Sequence, residues 1–263
     1  MSLVAHLSDV HLLAPGESVH VPMRLASTGR VLDAEGRMEK LRGALAEAQR
    51  ASATHFVFSG DLTEFGTERQ YETFAALLSE ARLGGDAVTL IPGNHDAYTS
   101  PTGWRRAIEG PLRAWARGAA AEPGKVQPIE RAFVLPVDVS RHQNVIRSQG
   151  YVTAEVGAAL AKRLADPALA REAVLLVVHH TPFKHDNAAW QWINGLHDQE
   201  RVLSLLEQHP HAHVLHGHLH RRIQRPVGEL ARPRVFCVPA VVNVAGARMR
   251  LYDVSDGAVT QVD

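Results

Sequence analysis

An α/β layered fold is what the 263 residues predict, and two observations carry that prediction. Short runs rich in Val, Leu, Ile and Phe recur with amphipathic stretches between them, the alternation expected when helices cover a sheet. Five of the runs also end in residues of metal-ligand type. The runs fall at residues 3–7, 56–58, 87–91, 133–137, 174–178, 213–215, 235–238 and 248–254. Between the first two, Met38, Leu41, Leu45 and Ala48 recur at three and four residues, which predicts a helix over 37–51. Tyr71, Phe74, Ala75, Leu78 and Ala81 repeat that period in the next connection, opened by a capping box of Thr67 with Gln70. Further helices are expected over 153–165 and 199–209. No repeat, low-complexity tract or linker interrupts the pattern, so 1–263 reads as a single domain. Two insertions stand out, 13–33 and 99–128; the second, with Pro101, Gly103, Gly110, Pro111, Pro123 and Gly124, is expected to be irregular and peripheral.

Composition excludes several function classes. Lys plus Arg and Asp plus Glu both number 28, so no bulk field recruits nucleic acid or an anionic membrane, and no extended nucleic acid is expected as a partner. Cys237 is the one cysteine, which rules out an intramolecular disulfide and any site built on several thiolates. The chain opens without a basic region and long apolar core, and no stretch approaches the roughly 18 apolar residues of a membrane span. A cytoplasmic location is therefore expected. The 16 histidines are the unusual number, because imidazole is the commonest metal ligand.

Their placement points to chemistry. Run one ends Ser8-Asp9-Val10-His11, run two Ser59-Gly60-Asp61, and run three Pro92-Gly93-Asn94-His95-Asp96. Run five ends His179-His180, and run six Gly217-His218-Leu219-His220. Ligands in open α/β sheets bind outside the carboxyl ends of the strands, so the five clusters should meet in space. In extended chain, residues two apart point the same way; Asp9 with His11, and His218 with His220, can each face one site. Glycines 60, 93 and 217 allow sharp turns and close backbone approach. Taken alone, Asp-x-His occurs by chance, and Gly-Asp and Gly-Asn are ordinary turn dipeptides. Turn chemistry does not readily produce all five, in this order, at strand ends.

The set resembles the calcineurin-like metallophosphoesterases, whose pattern is Asp-x-His, Gly-Asp, Gly-Asn-His-Asp/Glu, a strand-end His and Gly-His-x-His. The match spans Leu3 to Val254. It implies a four-layer αββα sandwich of two mixed sheets flanked by helices, with a dinuclear metal site at the strand ends. A finer resemblance is to the class III cyclic-nucleotide phosphodiesterase branch, carried by Trp192-x-x-Gly195-Leu196, a following helix, and His-Pro before Gly-His-Leu-His-Arg. One departure is His179-His180-Thr181-Pro182, where the family shows His-His-Pro-Pro.

By that resemblance one ion takes Asp9, His11, Asp61 and His220, and the other takes Asp61, Asn94, His179 and His218. Asp61, the lone carboxylate at its strand end, is the bridge, since one carboxylate can span two ions roughly 3.5–4 Å apart. The thiolate-free N/O set suits two ions of iron, manganese, zinc or cobalt. Water or hydroxide shared between them would be the nucleophile. His95 is assigned as general acid to the leaving oxygen, with Asp96 orienting its ring; donation to a phosphate oxygen is its simpler alternative. Asn94, His95 and His180 are the expected substrate contacts. His216 is a candidate outer partner of the ions; His209, His211 and His213 are expected at the surface or in turns, and His20, His55, His142, His185 and His197 as structural or solvated. Trp190 and Trp192 either line the pocket and stack a base or pack an apolar surface, such as that of a homodimer. The expected activity is a phosphodiesterase acting on small phosphodiesters, best guessed as cyclic nucleotides. A phosphomonoesterase, a nucleotide-pyrophosphate hydrolase and a non-catalytic scaffold on the same fold are the alternatives.

Overall fold

The computed structural model describes residues 2–18, 27, 31–229, 232–243, 248–255 and 258–262. In chain order the elements are β1 (Leu3–Leu7), α1 (Ala34–Arg50), β2 (His55–Ser59), α2 (Glu68–Glu80), β3 (Val88–Ile91), α3 (Gly103–Glu109), β4 (Gln127–Ile129), β5 (Ala132–Pro136), β6 (Gly150–Tyr151) and α4 (Ala154–Leu164). There follow β7 (Ala173–Val177), α5 (Ala188–Asn194), β8 (Leu196–His197), α6 (Glu200–Gln208), β9 (Ala212–His216), β10 (Ile223–Arg225), β11 (Val235–Cys237), β12 (Arg250–Ser255) and β13 (Ala258–Gln261).

Two mixed sheets form the centre. One runs β13-β12-β1-β2-β3, parallel across β1, β2 and β3 with antiparallel β12 and β13 beyond. The other runs β10-β11-β9-β7-β5-β4, parallel through β11, β9, β7 and β5 with an antiparallel strand at each edge. The period-two alternation of each strand decides which layer a side chain enters. Val4 and Val57 face the second sheet together with Leu175 and Val177, whereas Ala5, Leu7, Phe56 and Phe58 turn outward under α1 and α2. Val174 and Leu176 likewise turn outward under α4 and α6. The layers are thus helix, sheet, sheet, helix, and the parallel strands of both sheets deliver their carboxyl ends to one rim.

Most predicted elements appear within a residue or two. Asp33, Thr67 and Thr153 cap α1, α2 and α4, their side chains accepting from the N–H of Gly36, Gln70 and Val156. The capping box at α2 is only half realised: the Gln70 carbonyl oxygen accepts from Phe65 N–H, 2.9 Å, and its amide donates to Glu17. The larger correction concerns residues 99–128. They hold α3 and a 3-10 turn, Arg113–Gly118, and bury Trp104 and Trp115 in the core under β3, each indole N–H donating to a backbone carbonyl. Proline and glycine signal the turns there, while two spaced tryptophans carry the packing. Of the other insertion, 19–26 and 28–30, His20 among them, lie outside the described residues. His213, expected at the surface, is buried on β9, its ring against Phe236. Among the described residues no helix is long and apolar enough to cross a membrane.

Candidate metal centre

The loops after β1 and β2 continue to pair beyond the strands: Asp9 N–H donates to Gly60 O, His11 to Asp61 O, Leu12 to Leu62 O, and Glu64 back to Leu12 O, all at 2.9–3.0 Å. This zipper puts Asp9, His11 and Asp61 side by side. It also forces left-handed backbone on non-glycine residues, with φ of 53° at Asp9, 50° at His11 and 50° at Asp61; His218 (67°) and His220 (53°) repeat the feature across the rim. Such conformations cost roughly 1–2 kcal/mol each and persist where surroundings over-determine them. The glycines make room: a Cβ on Gly60 would sit 2.5 Å from His179 Nδ1, and one on Gly93 or Gly217 would overlap Asp61 or Asp9.

Five strand ends do converge. Among the described residues, ligand atoms cluster as Asp9 with His11 and His220, as Asp9 with Asp61 and His179, and as His11 with Glu64 and His95. Asp61 occupies the middle. Its Oδ1 accepts from His95 N–H at 2.8 Å, while its Oδ2 lies 3.3 Å from His179 Nε2 and 3.7 Å from His11 Nε2. One oxygen between two imidazoles is the placement a bridging carboxylate requires. Asp9 Oδ2 is held by His218 N–H at 3.0 Å, and Oδ1 lies 3.1 Å from His220 Nε2.

Two adjacent histidines separate cleanly. The Nδ1 edge of His179 lies 2.7 Å from Ser59 O, which turns Nε2 toward Asp61. His180 turns away, its Nε2 donating to Ser148 O at 2.6 Å, with its ring 4.3 Å from that of His218. His218 Nε2 donates to Asn194 O at 3.1 Å, so Nδ1 is the edge left for an ion. Asn94 Nδ2 donates to the Tyr98 hydroxyl at 2.9 Å, whereas its Oδ1 is buried without a hydrogen-bond partner. A buried amide oxygen in that condition is costly unless something cationic meets it.

Charge tells the same story. Burial raises the carboxyl pKa of Asp9 and Asp61, yet the facing imidazoles overcome it and hold both well below the carboxylate range. Burial lowers His179, but the charges of Asp61 and Asp9 push it up to about 9. Two buried anions that draw protons onto their neighbours are a site that demands positive charge. The donor set and the orphaned Asn94 oxygen therefore fit divalent ions.

One reading of the sequence needs revision, and two residues join the site. Asp96 does not reach the His95 ring: its oxygens accept from the N–H groups of Leu62, Thr63 and Gly93 and from the Thr63 hydroxyl at 2.7–3.0 Å. Burial and the Asp61 charge push its carboxyl up, and the donors from Gly93, the Thr63 hydroxyl and Leu62 oppose them. The His95 ring is set instead by Glu64, whose carbonyl oxygen lies 2.8 Å from Nδ1. Glu64 and Arg37, both buried, are site residues that the strand-end motifs do not contain. The available signals are an acid three residues past Asp61 and a cation at the head of the stripe Leu41, Ala44 and Ala48. His216 is buried with Nδ1 3.0 Å from Gly217 O, beneath the loop that bears His218.

A family model for calcineurin-like phosphoesterases matches residues 2–222. The chain belongs to that family. It is accordingly a metal-dependent phosphoester hydrolase with a dinuclear centre. A search among characterised proteins gave no match in sequence. The fold is similar to that of a dimetal phosphatase from Danio rerio (13% identity, TM-score 0.64, covering 97% of this chain and 93% of that one) and to the Thermus thermophilus protein TT1561 (16%, 0.58, 100% and 98%). It is also similar to an NAD nucleotidase of Haemophilus influenzae (12%, 0.55), covering 100% of this chain but 49% of that one. At such identities the likeness is one of fold.

Proposed function

We propose that this metallophosphoesterase hydrolyses small phosphodiesters, with cyclic nucleotides as the preferred class. Asp9, His11, Asp61 and His220 would hold one ion, and Asp61, Asn94, His179 and His218 the other, from the iron, manganese, zinc and cobalt group. When bound, two such ions supply Lewis acidity and an activated water at the phosphorus. The chain does the rest. Asp61 keeps the two halves of the site in register through its contacts to His11, His179 and His95. His95 is 5% exposed beside Asn94, and with Nδ1 against the Glu64 carbonyl it presents Nε2 as the edge that gives a proton to the departing oxygen.

The observation that carries the diester reading is the wall beside His180 and His218. Helix α5 and residues 144–149 meet there, Ser148 N–H donating to Ile193 O at 3.0 Å, and their carbonyls hold His180 and His218. Trp192 is 51% exposed on that wall with the Arg147 guanidinium 3.9 Å over its ring, a surface on which a base can stack.

The test uses leaving groups. His95→Ala should lower turnover of cyclic nucleotide by on the order of 10²-fold or more, with a much smaller loss on bis-nitrophenyl phosphate, whose leaving group needs no proton. Equal losses on both would contradict the acid role. A wild-type preference for nitrophenyl monoester over every diester would favour a phosphomonoesterase.

A further inference from the structure

We propose that Glu64, anchored by Arg37, is a positioning residue that sets two rings at once: His11 for its ion and His95 for the leaving oxygen. The proposal rests on the functional reading above and concerns residues that the strand-end pattern does not contain. Glu64 is fully buried, and Arg37 is 3% exposed. Arg37 Nη1 donates to Glu64 Oε2 at 2.6 Å and also to the backbone carbonyl of His11, while Nη2 donates to Val31 O at 2.8 Å. The same Glu64 Oε2 lies 3.3 Å from His11 Nδ1. One guanidinium therefore secures the left-handed backbone of His11 directly and its ring through the carboxylate. With the carboxylate at ion-pair distance from Nδ1, short of a hydrogen bond, Nε2 of His11 faces Asp9 and Asp61, at 3.9 and 3.7 Å. A carboxylate beside the far nitrogen of an imidazole favours the tautomer that keeps its proton there and makes the near nitrogen a stronger metal ligand.

The second ring is served by the main chain of the same residue. Glu64 O lies 2.8 Å from His95 Nδ1, and the two imidazoles meet edge to face with centroids 4.5 Å apart. Any shift of Glu64 moves both. Two other roles for the cluster fit less well. His11, Glu64 and His95 have metal-type spacing, but a guanidinium 2.6 Å from the carboxylate already supplies the cation there. Nor is the pair placed to stabilise α1, since Arg37 stands in the helix's first turn, where the macrodipole disfavours positive charge. Buried ion pairs contribute little net stability over apolar packing, so what this one provides is geometry.

Calorimetric titration of the full chain with Mn²⁺ tests the idea. Glu64→Gln keeps the shape and removes the charge; two ions should still bind, one of them weakened about 10–100-fold and the other not. The melting temperature should hold within a few degrees. Arg37→Met should weaken the same ion, and the double variant should be no worse than the more affected single variant, because the two act through one contact. Wild-type affinity for both ions in folded Glu64→Gln overturns the proposal, as does equal weakening of both with a collapsed melting temperature, the mark of a structural role. Should Glu64→Gln fail to fold, the zinc-loaded wild type decides: its ¹H–¹⁵N spectrum should show a downfield, slowly exchanging His11 Nδ1–H, and absence of that signal overturns the assignment. Wild-type protein that bound no ion would sink the functional reading itself, a distinguishable result.

Discussion

The loops after β1 and β2 and those after β7 and β9 end on the same kinds of residue but are held in different ways. On the first side the two loops are zipped backbone to backbone, Asp96 ties Leu62, Thr63 and Gly93 together, and the Arg37–Glu64 pair lies behind the ring of His11, 3.3 Å from Nδ1. Every group there is buried. On the second side, His180 and His218 lean on carbonyls of Ser148 and Asn194, borrowed from outside either large sheet, and His220 is 28% exposed. The first half-site is over-determined by the fold, whereas the second depends on a peripheral wall that carries exposed Ile146, Trp190 and Trp192. The buried half thus carries Asp9, His11 and Asp61, and the half that leans on the wall carries His179, His218 and His220.

The contrast can be broken most severely at Asp96. In Asp96→Asn an amide nitrogen replaces one acceptor, so of its four donors those on one oxygen lose their partner. A loss of about 2–4 kcal/mol in urea unfolding is expected, together with weakened binding of both ions. A change below about 0.5 kcal/mol would show that the loop does not depend on this clamp.

Acid should attack the same half. His55 on β2, its Nε2 2.8 Å from Thr89 Oγ1, is neutral because burial lowers its pKa to about 4. Unfolded, it takes up a proton near pH 6.5, so the unfolded state binds more protons and stability falls with pH between 6.5 and about 4. Its share of the loss at pH 5 is about 2 kcal/mol, and His55→Gln should flatten the stability–pH curve by that amount. An unaltered slope would mean that other groups govern it.

A smaller effect is expected on the side that leans on the wall. Trp192→Ala should raise KM for cyclic nucleotide about tenfold, near 1.4 kcal/mol of lost stacking, with less effect on bis-nitrophenyl phosphate. Equal changes on both substrates would remove Trp192 from base recognition.

What can be read in the sequence follows the same division. Asp9, His11, Asp61, Asn94, His218 and His220 sit in short local motifs at strand ends, and locality makes them legible. The choice between His179 and His180 is not local: it turns on Ser59 O, 120 residues away along the chain. Asp96 reads as a partner of His95 because it follows it, but the 3-10 turn His95–Ala97 swings its carboxylate back onto the β2 loop. Arg37 stands at the head of the stripe Leu41, Ala44 and Ala48, but its partner Glu64 lies 27 residues away along the chain, so the pair is not a local motif. In the fold, the edge strands β4 and β10, three residues each, are too short for a period-two signal.

Counting ions tests the account most directly. Metal analysis of the purified chain after loading with Mn²⁺ or Zn²⁺ and desalting should give two ions per wild-type molecule, and Asp61→Asn should retain fewer, with activity down by at least about 10³-fold, since the residue between His11 and His179 serves both. One ion or none at saturation in the wild type, or two ions with near-normal turnover in Asp61→Asn, would contradict a dinuclear centre bridged at that position.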